Sequence, residues 1–272
     1  MASNFVTRLA AVALVVSVAA PLAAQQTGDE LRAKYLINVP QIQMASQPFF
    51  RGAPGTSSGS PMGFGPNWRD AFVGGGYQQV RGGGKSDGSI SGGFGLGNST
   101  DAIGLEVVVT SLSTFRSGFG DRTAFSFKAH RMLSGSAAIG VGVENAFIAG
   151  GGKTDGASSV YIAASKVIPL AGAGGMFKAL TVSGGVGNGR FRFQKDVAKD
   201  NKTVNAFGSA GLLIVDQISA IADWTGQDLT LGASIVPFKK FPMIITPALA
   251  DVTGTASNKV RFILGAGVGM KF

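Results

Sequence analysis

From Arg69 onward the chain alternates apolar with small or polar residues at a period of two, the pattern of strands whose two faces meet different surroundings. The clearest stretch is the last. One face reads Val260, Phe262, Leu264, Ala266, Val268, Met270 and Phe272; the other reads Arg261, Ile263, Gly265, Gly267, Gly269 and Lys271. The apolar face runs to the final residue, where chain ends usually fray.

Eleven further segments carry the same pattern and are bounded by turn-forming residues. They span 70–80, 88–97, 102–111, 122–132, 136–147, 158–167, 177–190, 203–215, 218–224, 228–237 and 243–250. In the third, Ile103, Leu105, Val107 and Val109 share a face and Glu106 points the other way. In the fourth, Thr123, Phe125, Phe127 and Ala129 face oppositely to Ser126, Lys128 and His130. In the fifth, Ala137, Ile139, Val141 and Val143 oppose Glu144. The facing of the sixth is ambiguous. A hairpin between the third and fourth, centred on Ser117, places Glu106 opposite Lys128 on the inward face. That pair reads either as a structural ion pair filling a lumen or as a constriction charge.

The connections alternate in length. Those at 113–121, 149–157, 193–202 and 251–257 are long and polar; those at 98–101, 133–135, 216–217 and 238–242 are short. That rhythm fits an even-numbered, up-and-down antiparallel barrel with both ends on one side. Connections 168–176 and 225–227 break it, so the expectation is about twelve strands with ten or fourteen open.

Ahead of this region lie two different segments. Residues 1–24 read as a secretory signal: Arg8, an apolar run at 9–18, and small residues around Pro21 with cleavage after Ala24. The run is shorter than the roughly 20 residues a spanning helix needs. No later apolar stretch reaches that length, and only helices and closed barrels satisfy the backbone in lipid. Residues 25–68 contain Pro40, Pro48, Pro54, Pro61 and Pro66 with a Gly/Ser-rich centre at 55–60. This composition reads as a linker, or as a plug-like segment folding back into a barrel mouth.

Composition sharpens this picture and removes most catalytic readings. Glycine, 42 of 272 residues, suits curved strands and a roomy interior. With no Cys and one His, neither thiolate chemistry nor the usual transition-metal sites have a ligand set. His130 on an inward face reads as a solvated polar residue. Gly150-Gly151-Gly152-Lys153-Thr154 resembles the end of a phosphate loop, but Phe147 stands where the pattern requires glycine. No enzyme, cofactor or metal is therefore expected. The net charge is +9, and removal of the signal lowers it by the single Arg8. No basic run exceeds Lys239-Lys240, so a nucleic-acid surface is not expected. Lumen-facing charge is expected from Glu106, Lys128, His130, Glu144, Arg261 and Lys271. Trp224, Phe238, Phe241 and Phe272 fall at strand ends, where barrels carry aromatic girdles.

The terminal alternation through Leu264, Val268, Met270 and Phe272 resembles the last strand of the porin-like outer-membrane β-barrel superfamily. In that family such a strand is the signal read by the barrel-assembly machinery. Asp223-Trp224-Thr225-Gly226-Gln227-Asp228-Leu229-Thr230-Leu231-Gly232 resembles a strand–turn–strand of exopolysaccharide-linked outer-membrane barrels. It is also similar to uncharacterised exported barrels of cyanobacteria, as is Gly65-Pro66-Asn67-Trp68-Arg69-Asp70-Ala71-Phe72-Val73-Gly74. The resemblance implies an all-β, transmembrane barrel over 69–272 in the outer membrane of a Gram-negative-type cell. Its expected surroundings are outer-membrane lipid and the assembly machinery. A narrow pore for small, preferentially anionic solutes is the expected function. A closed structural or adhesion barrel and a soluble periplasmic β-protein are the alternatives.

Overall fold

The structure, a computed structural model, describes residues 54–79, 86–112, 114, 118–150, 158–170, 176–238, 240–256 and 260–272. The expected signal peptide and residues 25–53 lie outside the described residues. The remainder is a closed barrel of twelve strands in sequence order, each antiparallel to its neighbours, with β1 paired to β12.

The strands are β1 (Asp70–Gln78), β2 (Asp87–Gly97), β3 (Gly104–Ser111), β4 (Arg122–Leu133), β5 (Ala137–Gly150) and β6 (Ser159–Pro169). They continue as β7 (Ala179–Gly187), β8 (Asn205–Val215), β9 (Ile218–Trp224), β10 (Leu229–Ile235), β11 (Met243–Ala250) and β12 (Arg261–Lys271). The count of twelve stands with both irregular connections kept: β6 and β7 are joined by a long link, β9 and β10 by a short one. One expected strand is too long. The seventh segment stops at Gly187 rather than Arg190, because Gly189 takes a φ of +60° and residues Gly189–Phe191 form a 3-10 turn that folds inward.

Facing follows the alternation. Val73, Ile90, Leu105, Phe127, Val141, Ile162, Val182, Leu231, Leu249 and Leu264 stand exposed on the outside. The inside is small and polar: Ser89, Thr110, Ser126, Ser165, Thr181, Ser183, Ser209, Thr230, Ser234 and Thr246 are all buried. Opposite-facing alternation with an apolar exterior is the inverse of a soluble sandwich, whose apolar face would be hidden between sheets. On β6, Tyr161, Ala163, Ser165 and Val167 point in, while Val160, Ile162 and Lys166 point out.

Glycines on the inner face serve two ends. Some lie beneath an aromatic ring from the neighbouring strand. Phe72 covers Gly93, Tyr161 covers Gly142 and Phe207 covers Gly185, each pair being direct cross-strand partners. A Cβ at Gly93 or Gly185 would lie 2.5 Å from a ring atom, and one at Gly142 2.6 Å. The arrangement shields backbone that a bare glycine leaves open. Others make room for chain inside the barrel: a Cβ on Gly95 would sit 2.3 Å from the Asn67 carbonyl, and one on Gly211 2.4 Å from Thr56.

Candidate functional site: a lumen filled from both ends

Residues 54–67 run inside the barrel. From Asp70 backward, the segment leaves the end that carries the barrel's termini, here called the turn end. Asn67 accepts from the Ser99 amide through its side-chain oxygen at 2.7 Å, and the Trp68 amide donates to the Gly97 carbonyl at 2.8 Å. The Pro66 carbonyl accepts from His130 Nε2 at 3.0 Å, so that nitrogen carries the proton. The Phe64 carbonyl accepts from Lys128 Nζ at 2.8 Å, and the Gly63 amide donates to Ser165 Oγ at 2.8 Å. Phe64 and Met62 then pack with Ala138, Val167, Ala179 and Leu213 into a small apolar cluster. The segment returns toward the turn end, where the Gly55 amide donates to Ser234 Oγ at 2.7 Å and its carbonyl accepts from Ser219 Oγ at 2.5 Å.

The apex of this loop, Ser57 to Ser60, closes around one carboxylate. The amides of Ser58, Gly59 and Ser60 donate to Asp223 Oδ2 at 2.8, 3.0 and 3.1 Å. The Ser57 hydroxyl lies 2.7 Å from the same oxygen, and the Ser60 hydroxyl bonds Asp223 Oδ1. Successive amides aimed at one point form an anion-binding nest. Asp223 is fully buried at the loop end of β9, where its parity points inward. A carboxylate so buried is stable as an anion only when its lone pairs are filled. Hydrogen bonds to a charged group contribute about 1.5–3 kcal/mol each, so this cluster is the strongest polar tie between filling and wall.

The other end is closed by the β7–β8 connection. Phe191, with no exposure, stacks on Phe207 at 4.4 Å between centroids and meets Tyr161 edge-on at 6.0 Å. The guanidinium of Arg190 lies 4.3 Å from the Phe191 ring centre and binds both oxygens of Glu144, its Nη2 2.7 Å from Oε1. Its Nη2 also donates to the Gly59 carbonyl at 2.8 Å, so the two fillings meet at the apex. A short helix, α1 (Gln194–Ala198), completes this cap and buries Val197. The β9–β10 turn supports it. Gln227 Nε2 donates to the Arg190 carbonyl at 2.9 Å, and Gly226, at φ +93°, lies against the Phe191 backbone where a Cβ would approach to 2.2 Å. Arg261 bonds Asp228 at 2.5 Å. Burial pushes the Asp228 carboxyl up from its ordinary value, against the pull of Arg261 and Thr225.

The sequence-derived charge candidates separate into pairs. Glu106 and Lys128 face each other across β3 and β4 in the expected register and form a buried ion pair. Glu144 pairs with Arg190, which the alternation placed at the end of a strand. Arg261 pairs with Asp228. Lys271 sits at the turn-end rim, half exposed, 3.8 Å from Asp70. His130 is buried, its ring lying between Gly104 and Gly65, and is not the solvated side chain expected from sequence. Phe64 lies in the lumen, whereas Trp68 packs edge-on against Phe272 at 6.5 Å on the rim. Phe238 and Phe241 meet at 6.5 Å. Of the terminal-strand positions, Leu264, Val268, Met270 and Phe272 all take the outward parity.

Four groups that organise the lumen escaped the sequence reading: Asp223, Arg190, Asp228 and the Ser57–Ser60 apex. Asp223 carried a usable signal, being the one acid inside an otherwise apolar or small strand. Among the described residues, no group of three His, Cys, Asp or Glu side chains is placed to hold a metal ion.

A closed, even-stranded, up-and-down antiparallel barrel, apolar outside and polar inside, defines the protein as a β-barrel of the outer-membrane type. No family model matches the chain, and neither does any curated protein. Among solved structures it is similar to the Acinetobacter baumannii outer membrane protein Omp33, with 9% identity and a TM-score of 0.38, over 75% of this chain and 98% of that one.

Proposed function

We propose that the protein is an outer-membrane barrel whose resting lumen is sealed, a lipid-spanning scaffold without enzymatic chemistry. The observation that carries this reading is the path of residues 54–67 through the barrel, met at its apex by Arg190 from the opposite end. The outward apolar belt supports a lipid environment, which export through the expected signal peptide would reach. Two measurements test the proposal. Heat-modifiable mobility in detergent and fractionation with the outer membrane are expected; protein that stays soluble without detergent overturns the membrane reading. In planar bilayers the full mature chain is expected to give no steady current; a permanently open, ohmic pore overturns the sealed lumen.

A narrow pore for small, preferentially anionic solutes is the second reading. It is favoured by the net charge of +9 and by the noncovalent attachment of the filling in a chain without cysteine. Against the anion preference, Lys128, Arg261 and Lys271 each stand beside a carboxylate. A salt-gradient reversal potential of the anion-selective sign, in whatever current the protein passes, is what this reading requires.

A further inference from the structure

We infer that Asp223 is the latch of a gate: the Ser57–Ser60 nest holds the filling segment on this carboxylate, and its release, which also takes the Gly59 carbonyl away from Arg190 and so loosens the cap at the other end, opens a cation-preferring pathway. The inference rests on the sealed-lumen reading and extends it. Three observations carry it.

The first is how the segment is held. Its other ties are spread along the wall and cap, two at Gly55 and others at Gly63, Phe64, Pro66 and Asn67, with Arg190 on the Gly59 carbonyl and the Ser60 hydroxyl on the Trp224 carbonyl. At Asp223 alone, three amides and two hydroxyls converge on one charged group. Removing that charge weakens all of these bonds together, because a neutral acceptor gives up the charge assistance each of them has.

The second is what the wall looks like beneath the segment. Where the segment passes, the wall presents glycine: Gly95 under Asn67, Gly140 beside Gly63 and Gly211 under Thr56. The wall does not fill this space with its own side chains, so withdrawal of the segment leaves room. A twelve-stranded barrel lies between the filled barrels of about 8 strands and the open ones of about 16.

The third is the charge left behind. Glu106, Glu144 and Asp228 keep Lys128, Arg190 and Arg261 as partners on the wall or the cap, whether or not the segment is present. Asp223 loses its five donors. Its charged neighbour is then Arg190, whose guanidinium already binds Glu144, so Asp223 adds an excess negative charge to the opened lumen, and excess carboxylate in a confined pathway attracts cations. The opened pore is thus expected to select against the sign suggested by the net charge of the chain.

The experiment is single-channel recording of the full mature chain in planar bilayers under a potassium chloride gradient. Wild type is expected to stay closed. Asp223→Asn is expected to raise open-state occupancy at least about tenfold, the equivalent of losing one charge-assisted hydrogen bond. The double variant Ser57→Ala/Ser60→Ala keeps the carboxylate and is expected to open with a cation-selective reversal potential, which Asp223→Asn reduces toward zero. Gly55→Cys with Ser234→Cys adds a staple, since a Cβ at Gly55 lies 3.7 Å from that of Ser234, within disulfide reach. Placed in either background, the staple is expected to abolish the current when oxidised and to restore it on reduction.

The outcomes separate. A wild type that conducts steadily overturns the sealed lumen. A closed wild type with equally closed Asp223→Asn and double variants, both heat-modifiable, overturns the latch and leaves the sealed lumen standing. Current that persists through the oxidised staple comes from a damaged wall and overturns the gate. An anion-selective sign in the double variant overturns the assigned role of Asp223 in the opened pore.

Discussion

The wall of this barrel and the chain inside it are built on opposite rules. The wall is a closed ladder of backbone hydrogen bonds in which every strand pairs on both edges, and its outward side chains repeat every second residue. The filling has no regular structure. Residues 54–67 hold Pro54, Pro61 and Pro66, which remove backbone donors and keep the segment extended. It is held instead by side chains of the wall reaching its carbonyls and amides, and by its own Ser hydroxyls. The comparison teaches where stability and mobility divide. Breaking the ladder anywhere leaves an edge of unpaired backbone groups, which is costly. Breaking a tie to the filling costs one hydrogen bond, about 0.5–1.5 kcal/mol when neutral.

The comparison is broken most severely where filling and wall share a buried charge. Arg190→Ala strands Glu144 without its partner and removes the contact to Gly59. Loss of one member of a buried pair costs about 3–5 kcal/mol, so a clear drop in the urea midpoint in lipid vesicles is expected. An unchanged midpoint would mean that the cap contributes nothing to the fold.

Next in size is a charge on the outer face. Val141→Arg, on an outward position of β5 that is 48% exposed, is expected to cost about 2–4 kcal/mol if that position lies near the bilayer midplane. The same substitution in a soluble protein would be nearly neutral. Equal stability of wild type and variant in vesicles would therefore remove the lipid-facing assignment of β5.

Gly63→Ala tests the filling by itself. Its Cβ would meet the Ala138 carbonyl at 2.3 Å, backbone against backbone, so the segment must shift. Faster cleavage within residues 54–67 by added protease is expected, with the wall's unfolding midpoint unmoved. A fall in both together would show that wall and filling form one cooperative unit.

The smallest effect belongs to the exterior aromatics. Phe125 and Phe147 are direct partners across β4 and β5 and stack at 4.7 Å, just beyond a bulge that sets Asn145 at φ +49°. Phe125→Leu is expected to cost about 0.5–1.5 kcal/mol, the range of an aromatic pair beyond simple burial. A larger loss would point to a role for the pair in holding the bulge.

Most of the wall was legible in the sequence. The outward residues of β3, β4, β5 and β12 were read from parity alone, because a period of two leaves only two faces and one of them is apolar. The Glu106–Lys128 pairing followed from hairpin arithmetic once the turn centre was placed. The facing of β6 was not legible, since Ala163, Ala164 and Ser165 suit either side. Tyr161 decided it by joining Phe191 and Phe207 inside. The strand ending at Gly187 was overrun because Val186 to Arg190 continues the alternation, and only the inward fold of Phe191 shows where the ladder stops.

The sequence by itself determined which residues face outward and which face inward, since alternation is a local property of each strand. Closure of β1 on β12 was already expected from the even-numbered barrel; which residues meet in the lumen was decided only by the tertiary structure. Ser60 and Asp223 are separated by 163 positions, and nothing periodic in either segment announces the other. A serine-rich loop and a lone inward acid are each common. Their meeting is a property of the closed barrel, which brings the end of β9 to the height where the loop turns.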